Sequence, residues 1–150
     1  MTIEFMNYII SYINRKFTED STVPQNKKVE GHLAYDSGLI KSSAKSFYVV
    51  QCLDKQPSTE TLVDTPLYDI SLQISIFSVK GTIGGQVYLP QQMSIKLSDM
   101  VSGYMEELKR NLEETNICLM REVGSSPALP FEDGARAYIS TLRYTFTIMK

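Results

Sequence analysis

The segment from Tyr68 to Ile76 alternates without a break between apolar or aromatic even-numbered residues and polar odd-numbered residues. Successive side chains of a β-strand point to opposite faces of the sheet. A period of two therefore predicts a strand with one buried and one wet face. We expect the even-numbered residues of this strand to lie in the core.

Four other segments also have the pattern of strands. Val29 to Ile40 is predicted as a strand or a bent hairpin arm, and Ile117 to Arg121 as a short strand. Ser46 to Leu53 is apolar on both faces, which predicts a central strand covered on both sides. Near the end of the chain, alternate residues from Leu142 to Ile148 are apolar and predict a last strand that faces the core.

Two segments instead carry apolar residues at spacings of three and four, which predicts amphipathic helices from Ile3 to Phe17 and from Leu97 to Leu112. Gly103 lies inside the second helix and favours a tight contact between that helix and the sheet. The order of elements predicts an α+β fold within a single domain, residues 1–150. Its sheet, largely antiparallel or mixed, has four to five strands, with the N-terminal helix and the long helix packed on it.

Composition narrows the possible partners. The formal net charge of the 150 residues is −2 and the basic residues are scattered, which argues against a strong electrostatic hold on nucleic acid. The pattern of a signal peptide and an apolar run of about 20 residues are both absent, so we expect a soluble protein that resides or assembles in a reducing cytoplasm, with no membrane association. Cys52 and Cys118 lie in strand-like segments and are predicted to be buried free thiols; a disulfide requires that the fold bring them together.

Motifs that resemble catalytic ones have simpler structural explanations. Ser42 to Lys45 fits S-x-x-K, but it lies in a polar turn before a strand rather than at the start of a buried helix. Gly81 to Gly85 lacks the lysine that follows a phosphate-binding loop, so it predicts a hairpin turn. His32 is the single histidine and has no nucleophile motif beside it. We therefore predict that the chain is not an enzyme, has no catalytic, cofactor-binding or metal-binding residues, and binds neither metal nor nucleotide stoichiometrically.

Two long polar segments, Asp54 to Pro66 and Gly124 to Gly134, are predicted as loops that act as assembly surfaces. Apolar residues within polar loops suit anchors that are buried only on association. Acidic residues beside them suit contacts with a partner protein, although plain solvent exposure explains them equally well. The predicted interface residues are Leu62, Val63, Leu129, Phe131, Glu132 and Asp133. The alternative is that the apolar side chains fold back onto the core of their own subunit.

A further pattern covers most of the chain. Pro66 precedes the long alternating strand, and an amphipathic helix from Ser98 to Thr115 follows it. A proline-containing loop with acidic residues, Pro127 to Gly134, then leads into an aromatic-rich strand from Tyr138 to Ile148. In this order, and with its opening helix, the chain resembles the tail terminator proteins of long-tailed bacteriophages, also called tail completion or tail-to-head joining proteins.

The resemblance implies a structural virion protein that is located in the tail or neck and assembled in the host cytoplasm. Tail terminators form a ring, usually a hexamer, on the last ring of tail tube protein. They end tube polymerisation and offer a surface to the head completion or connector protein. DNA passes through the lumen without specific binding. Two alternatives remain: another head–tail connector or neck component, such as a stopper or adaptor, and a small enzyme with an unrecognised site.

Overall fold

The structure is a computed structural model that describes residues 2–24, 29–33, 45–58, 65–113, 115–131 and 136–149. The described elements comprise two helices, the strands of one large sheet and a small hairpin. In chain order they are α1 Thr2–Glu19, β1 Glu30–His32, β2 Phe47–Pro57, β3 Leu67–Ser78, β4 Gly81–Ile83, β5 Gln86–Tyr88, α2 Pro90–Arg110, β6 Ile117–Phe131 and β7 Ala137–Met149.

The large sheet has five strands in the order β1-β2-β3-β7-β6. Its neighbouring strands are antiparallel except for β1, which pairs with the start of β2 in parallel. Ile70 pairs with Phe146 and Leu72 with Tyr144, so the apolar rows of β3 and β7 lie on the same face. Both helices pack on that face and enclose the main core. The predicted α+β class, mixed sheet and core strands are confirmed.

Helix α1 matches its prediction closely, and its buried face includes Ile9, Ile13 and Phe17. Helix α2 begins at Pro90, well before the predicted start at Leu97. Proline suits the first turn of a helix because its missing N–H would have no partner there. The tight packing predicted for Gly103 is wrong: this residue is exposed, and apart from Gly103 itself, its chain neighbours and the backbone of its own helix, no described atom lies within 4 Å of the position that a Cβ would take.

The two predicted long loops are shorter than expected, because strand structure extends into both. Residues 54–57 belong to β2, and residues 124–131 belong to β6, which is 15 residues long rather than a short strand. Pro127 and Pro130 are compatible with β6 because it is the edge strand, where an absent N–H breaks no ladder on the outer side. Register shifts interrupt the pairing of β6 with β7 at three places, one of them between Ser126 and Leu129.

The prediction of buried cysteines is wrong, because Cys52 and Cys118 are free and exposed. Residues 47–50 of β2 are buried on both faces as expected, but residues 52–57 extend beyond the covered part of the sheet. The two cysteines lie on strands at opposite sides, since β2 and β6 are separated by three strand spacings of about 4.8 Å. That separation of about 14 Å is twice the Cα distance that a disulfide spans.

The segment predicted as a strand from Val29 to Ile40 is described only in part. Glu30–His32 forms β1, and residues 34–40 lie outside the described residues. The glycine-rich turn is confirmed as the tip of the β4–β5 hairpin, where Gly84 and Gly85 have φ of 61° and 77°. Both values lie in the left-handed region that glycine adopts without strain. Neither of the two described helices is long and apolar enough to cross a membrane.

Candidate interface surfaces

An apolar cluster lies on the sheet face opposite the helices, at the end where β2 begins. Phe47 stacks on Phe77 with ring centroids 4.8 Å apart, and Phe131 meets the Phe77 ring edge-on at 5.4 Å. His32 packs edge-on against Phe47 at 5.7 Å, which accounts for its half-buried position in β1. Phe131 is therefore half-buried against its own chain, and part of its surface is left for a partner.

Leu129 lies beside this cluster, in register with Ile139 on the same face, and is 52% exposed. It is the predicted interface residue that most clearly remains available for association. The other four, Leu62, Val63, Glu132 and Asp133, lie outside the described residues. The structure thus brings Leu129 and Phe131 together at one end of the sheet, and their role in an interface stays a prediction.

The rest of this face is a band of hydroxyl and amide side chains that bond across the strands. The hydroxyl oxygens of Ser71 and Thr145 lie 3.2 Å apart and share a hydrogen bond, and the Thr147 hydroxyl donates to Asp69 Oδ1 at 2.7 Å. Arg143 Nε donates to Gln73 Oε1 at 2.9 Å. Such pairs satisfy the polar groups of neighbouring strands with one another. We call this surface, which no described helix covers, the polar face.

Charge on the polar face is balanced. The register places Arg121, Arg143, Asp54 and Asp69 on the described strands of this side, together with Glu30 of β1, whose carboxylate lies 3.6 Å from the ammonium group of Lys45. A neutral hydroxyl surface offers hydrogen bonds to whatever passes it but exerts little long-range attraction on a polyanion.

A cleft of about 420 Å³ separates the two helices on the other side of the molecule. Lys16 Nζ donates to Glu107 Oε1 at 2.6 Å across it, and this hydrogen bond lowers the pKa of Glu107. The Tyr12 hydroxyl donates to the carbonyl oxygen of Tyr104 at 2.9 Å. Burial, aided by the nearby charge of Glu107, raises the pKa of Tyr12 to about 12. These groups bind one another across the cleft, and their hydrogen bonds hold α1 against α2.

The described part of the chain offers few side chains placed to bind a metal or to act as a catalytic nucleophile. No group of three or more histidine, cysteine, aspartate or glutamate side chains converges there in a way that could hold a metal ion. Of the S-x-x-K motif, only Lys45 belongs to the described residues, two positions before the start of β2.

Sequence reasoning did not single out the exposed parts of β2 and β6 as candidate contact surfaces. A signal existed, since β2 and β6 both carry charged residues between apolar ones, as at Asp54, Lys55, Arg121 and Glu122. Charged side chains within strands are typical of sheet edges.

In comparisons with known proteins, no family model matches this chain, and no curated protein matches it with significance.

Proposed function

We propose that this chain is a structural subunit of a bacteriophage virion that forms a ring, most simply a hexamer, on the end of the tail tube. The ring ends polymerisation of the tube protein and presents its other surface to the head completion or connector protein. Identical subunits joined through heterologous contacts close into a ring when their rotation allows it.

The observation that carries the proposal is the order of sequence features that resembles tail terminators. The fold is compatible with that order: Pro66 precedes the 12-residue strand β3, helix α2 follows, and the β6–β7 hairpin ends the chain. This resemblance lies in the order of the elements and the pattern of apolar residues, not in a catalytic sequence motif. It therefore supports an assembly role, and the residues that contact the partner proteins are a matter for experiment.

The polar face gives further support, because a channel for DNA must not hold the DNA. A protein that neutralises many phosphates binds DNA tightly and in a salt-dependent way. The polar face has balanced charges and hydroxyl groups that are already paired across strands, such as Ser71 with Thr145. A ring that turns this face toward its lumen would let DNA pass without specific binding.

Electron microscopy of the purified chain mixed with tail tubes of the phage that encodes it tests the proposal. We expect a ring of extra density at one end of each tube, with tubes alone as the control. A chain that decorates head connectors but never tube ends would instead be another neck component. A chain that binds neither would contradict the proposal.

A further inference from the structure

The hydroxyl group of Tyr144 is buried in the main core and has no hydrogen-bond partner among the described residues. Three other tyrosines of this core, Tyr12, Tyr48 and Tyr104, all have one. Tyr144 is 2% exposed, and a buried polar group without a partner bears the full cost of its desolvation. Such a group calls for an explanation, and a ligand that supplies the missing hydrogen bond is one.

Two carboxylates and a serine lie near this hydroxyl. Glu122 pairs with Tyr144 in the β6–β7 register, so its side chain leaves the sheet on the same side, toward the helices. Ser102 and Glu106 lie one turn apart on α2, which packs on β6 and β7. Burial raises the pKa of Tyr144, and the charges of Glu122 and Glu106 raise it further; the Ser102 hydroxyl is close enough to oppose this shift but lacks the geometry of a hydrogen bond. The hydroxyl of Tyr144 therefore points toward the border between α2 and β6 where these three residues lie, which we call the acidic border.

The acidic border is negatively charged and open to solvent. Glu106 and Glu122 are both exposed, as is Asp99, which lies two turns before Glu106 on the same side of α2. Lys109, also on this side of the helix, offsets one of the three negative charges. A cationic group is therefore attracted to this border, and an anion is repelled.

A pocket of about 110 Å³ lies further along, between the same two elements. Its lining includes Ser98 and Asp99 of α2 and Ser126 and Ala128 of β6. Ile95, which is 52% exposed, lines it as well. Polar and apolar contacts are therefore available beside the charged ones, which suits a short peptide segment better than a single ion.

The guanidinium group of arginine matches the acceptors of the acidic border. It is planar, always positively charged, and presents five N–H donors in a rigid fork, which suits carboxylates on two sides. A tyrosine hydroxyl can accept a hydrogen bond, and an N–H of the same fork can supply it. The ammonium group of lysine has its three donors at one point and spans a helix and a strand less well.

We infer that the acidic border binds an arginine side chain of a partner protein, which donates hydrogen bonds to Glu106, Glu122 and the Tyr144 hydroxyl. The site lies on the helix side of the sheet, opposite the polar face, and does not depend on the proposed ring. Side chains over the hydroxyl must turn to admit the guanidinium group, because the hydroxyl is closed to water in the free chain. An exposed side chain such as that of Glu122 can turn at little cost.

Peptide titration monitored by NMR tests the site. The probe is acetyl-Gly-Arg-Gly-amide, and the matched control peptide contains citrulline, which has nearly the same shape as arginine but no charge. We expect the arginine peptide to cause a saturable shift of the ring resonances of Tyr144, which are assigned by their absence in Tyr144→Phe. The citrulline peptide should cause no such shift.

Single substitutions should weaken the binding of the arginine peptide. Glu106→Gln and Glu122→Gln each remove one charge and should raise Kd about threefold or more. Tyr144→Phe removes the hydroxyl alone and should raise Kd about fivefold, measured on the backbone amides of β6. Glu19→Gln removes an exposed carboxylate of α1 and is the matched control, with an unchanged Kd.

The alternative is that Ser102 turns and pairs with the Tyr144 hydroxyl, which needs no ligand. Urea denaturation of Tyr144→Phe, Ser102→Ala and the double variant separates the two cases. If the hydroxyl lacks a partner in the free chain, Tyr144→Phe leaves the stability unchanged or raises it, and the effects of the two changes add. If Ser102 satisfies the hydroxyl, Tyr144→Phe lowers the stability and the double variant loses no more than either single variant, which would contradict the inference.

The titration can also overturn the site directly. The absence of a saturable shift, or equal shifts with the arginine and citrulline peptides, would do so. So would a response to calcium chloride without a response to the arginine peptide, or binding of acetyl-Gly-Lys-Gly-amide as tight as that of the arginine peptide. Rings can cap tubes whether or not the peptide binds, so failure of this site leaves the proposed function to its own test.

Discussion

Leu72 offers the most direct test of the assigned core. It is 1% exposed and lies in the middle of β3, paired with Tyr144 and covered by the helices. Leu72→Ala removes buried methyl groups and leaves a cavity between a sheet and a helix layer that are both held by other contacts. Large-to-small changes of this kind cost about 2–5 kcal/mol, and we expect a value in the upper half because the site cannot collapse easily. Urea denaturation of the purified variant measures the change in the free energy of unfolding.

Leu53→Ala is the matched control, because it deletes the same atoms from a neighbouring strand at a site that is 51% exposed. It should cost no more than about 0.5 kcal/mol in the isolated subunit, as surface substitutions usually do. A change of less than about 0.5 kcal/mol for Leu72→Ala would refute the assignment of the even-numbered face of β3 to the core.

Three further predictions concern other layers of the molecule. Phe131→Ala should cost about 1–3 kcal/mol in urea denaturation, because it removes both the ring contact with Phe77 and the half-buried apolar surface of the ring. It should also weaken ring formation, and a larger loss of stability with unchanged assembly would make Phe131 a core residue only. Gly31→Ala should lower the free energy of unfolding by about 1–3 kcal/mol in urea denaturation. The added Cβ would lie 2.4 Å from Cζ of Tyr48, and this buried ring cannot move easily because its hydroxyl donates a hydrogen bond to α1. Unchanged stability would contradict the placement of β1. Burial raises the pKa of Tyr12 from 10.0 to about 12, so its stabilisation is complete below pH 10 and is lost as the pH rises toward 12. Burial raises the pKa values of Tyr48, Tyr104 and Tyr144 as well, so Tyr12→Phe should lessen the alkaline loss of stability without abolishing it. Denaturation at stepped pH measures this loss, and an unchanged slope would refute the role of Tyr12.

The parts of the fold that the sequence predicted are those where one face meets water and the other meets the core. The period of β3 and the stripe of α1 each reflect such a boundary, so element type and buried face followed directly. The C-terminal strand β7 pairs with β3 from Tyr138 to Met149, and its apolar face was predicted for the same reason.

The errors arise where burial depends on distant partners. Cys52 lies in an apolar run, yet it is exposed, because neither described helix extends over that end of β2. Residues 124–131 contain the glycine, serines and prolines of a loop, but β7 pairs with them and makes a strand. Local composition does not reveal that an edge strand tolerates prolines on its free side.

The candidate interface was predicted only in part, for a similar reason. Leu129 was identified as an apolar residue in a polar segment, and it is exposed beside the apolar cluster against which Phe131 packs. The polar face joins residues that are far apart in the chain, such as Ser71 and Thr145, and only the strand order places them side by side. Such a relation depends on topology, which no local pattern encodes.

The central claim is that the chain ends tail tube growth by occupying the tube end. The most direct measurement is an elongation assay, in which preformed tubes are incubated with the chain, washed, and then supplied with fresh tube protein from the same phage. We expect tubes treated with the chain to keep their length, while untreated tubes grow. Equal growth of tubes treated with the unmodified chain and of untreated tubes would contradict it.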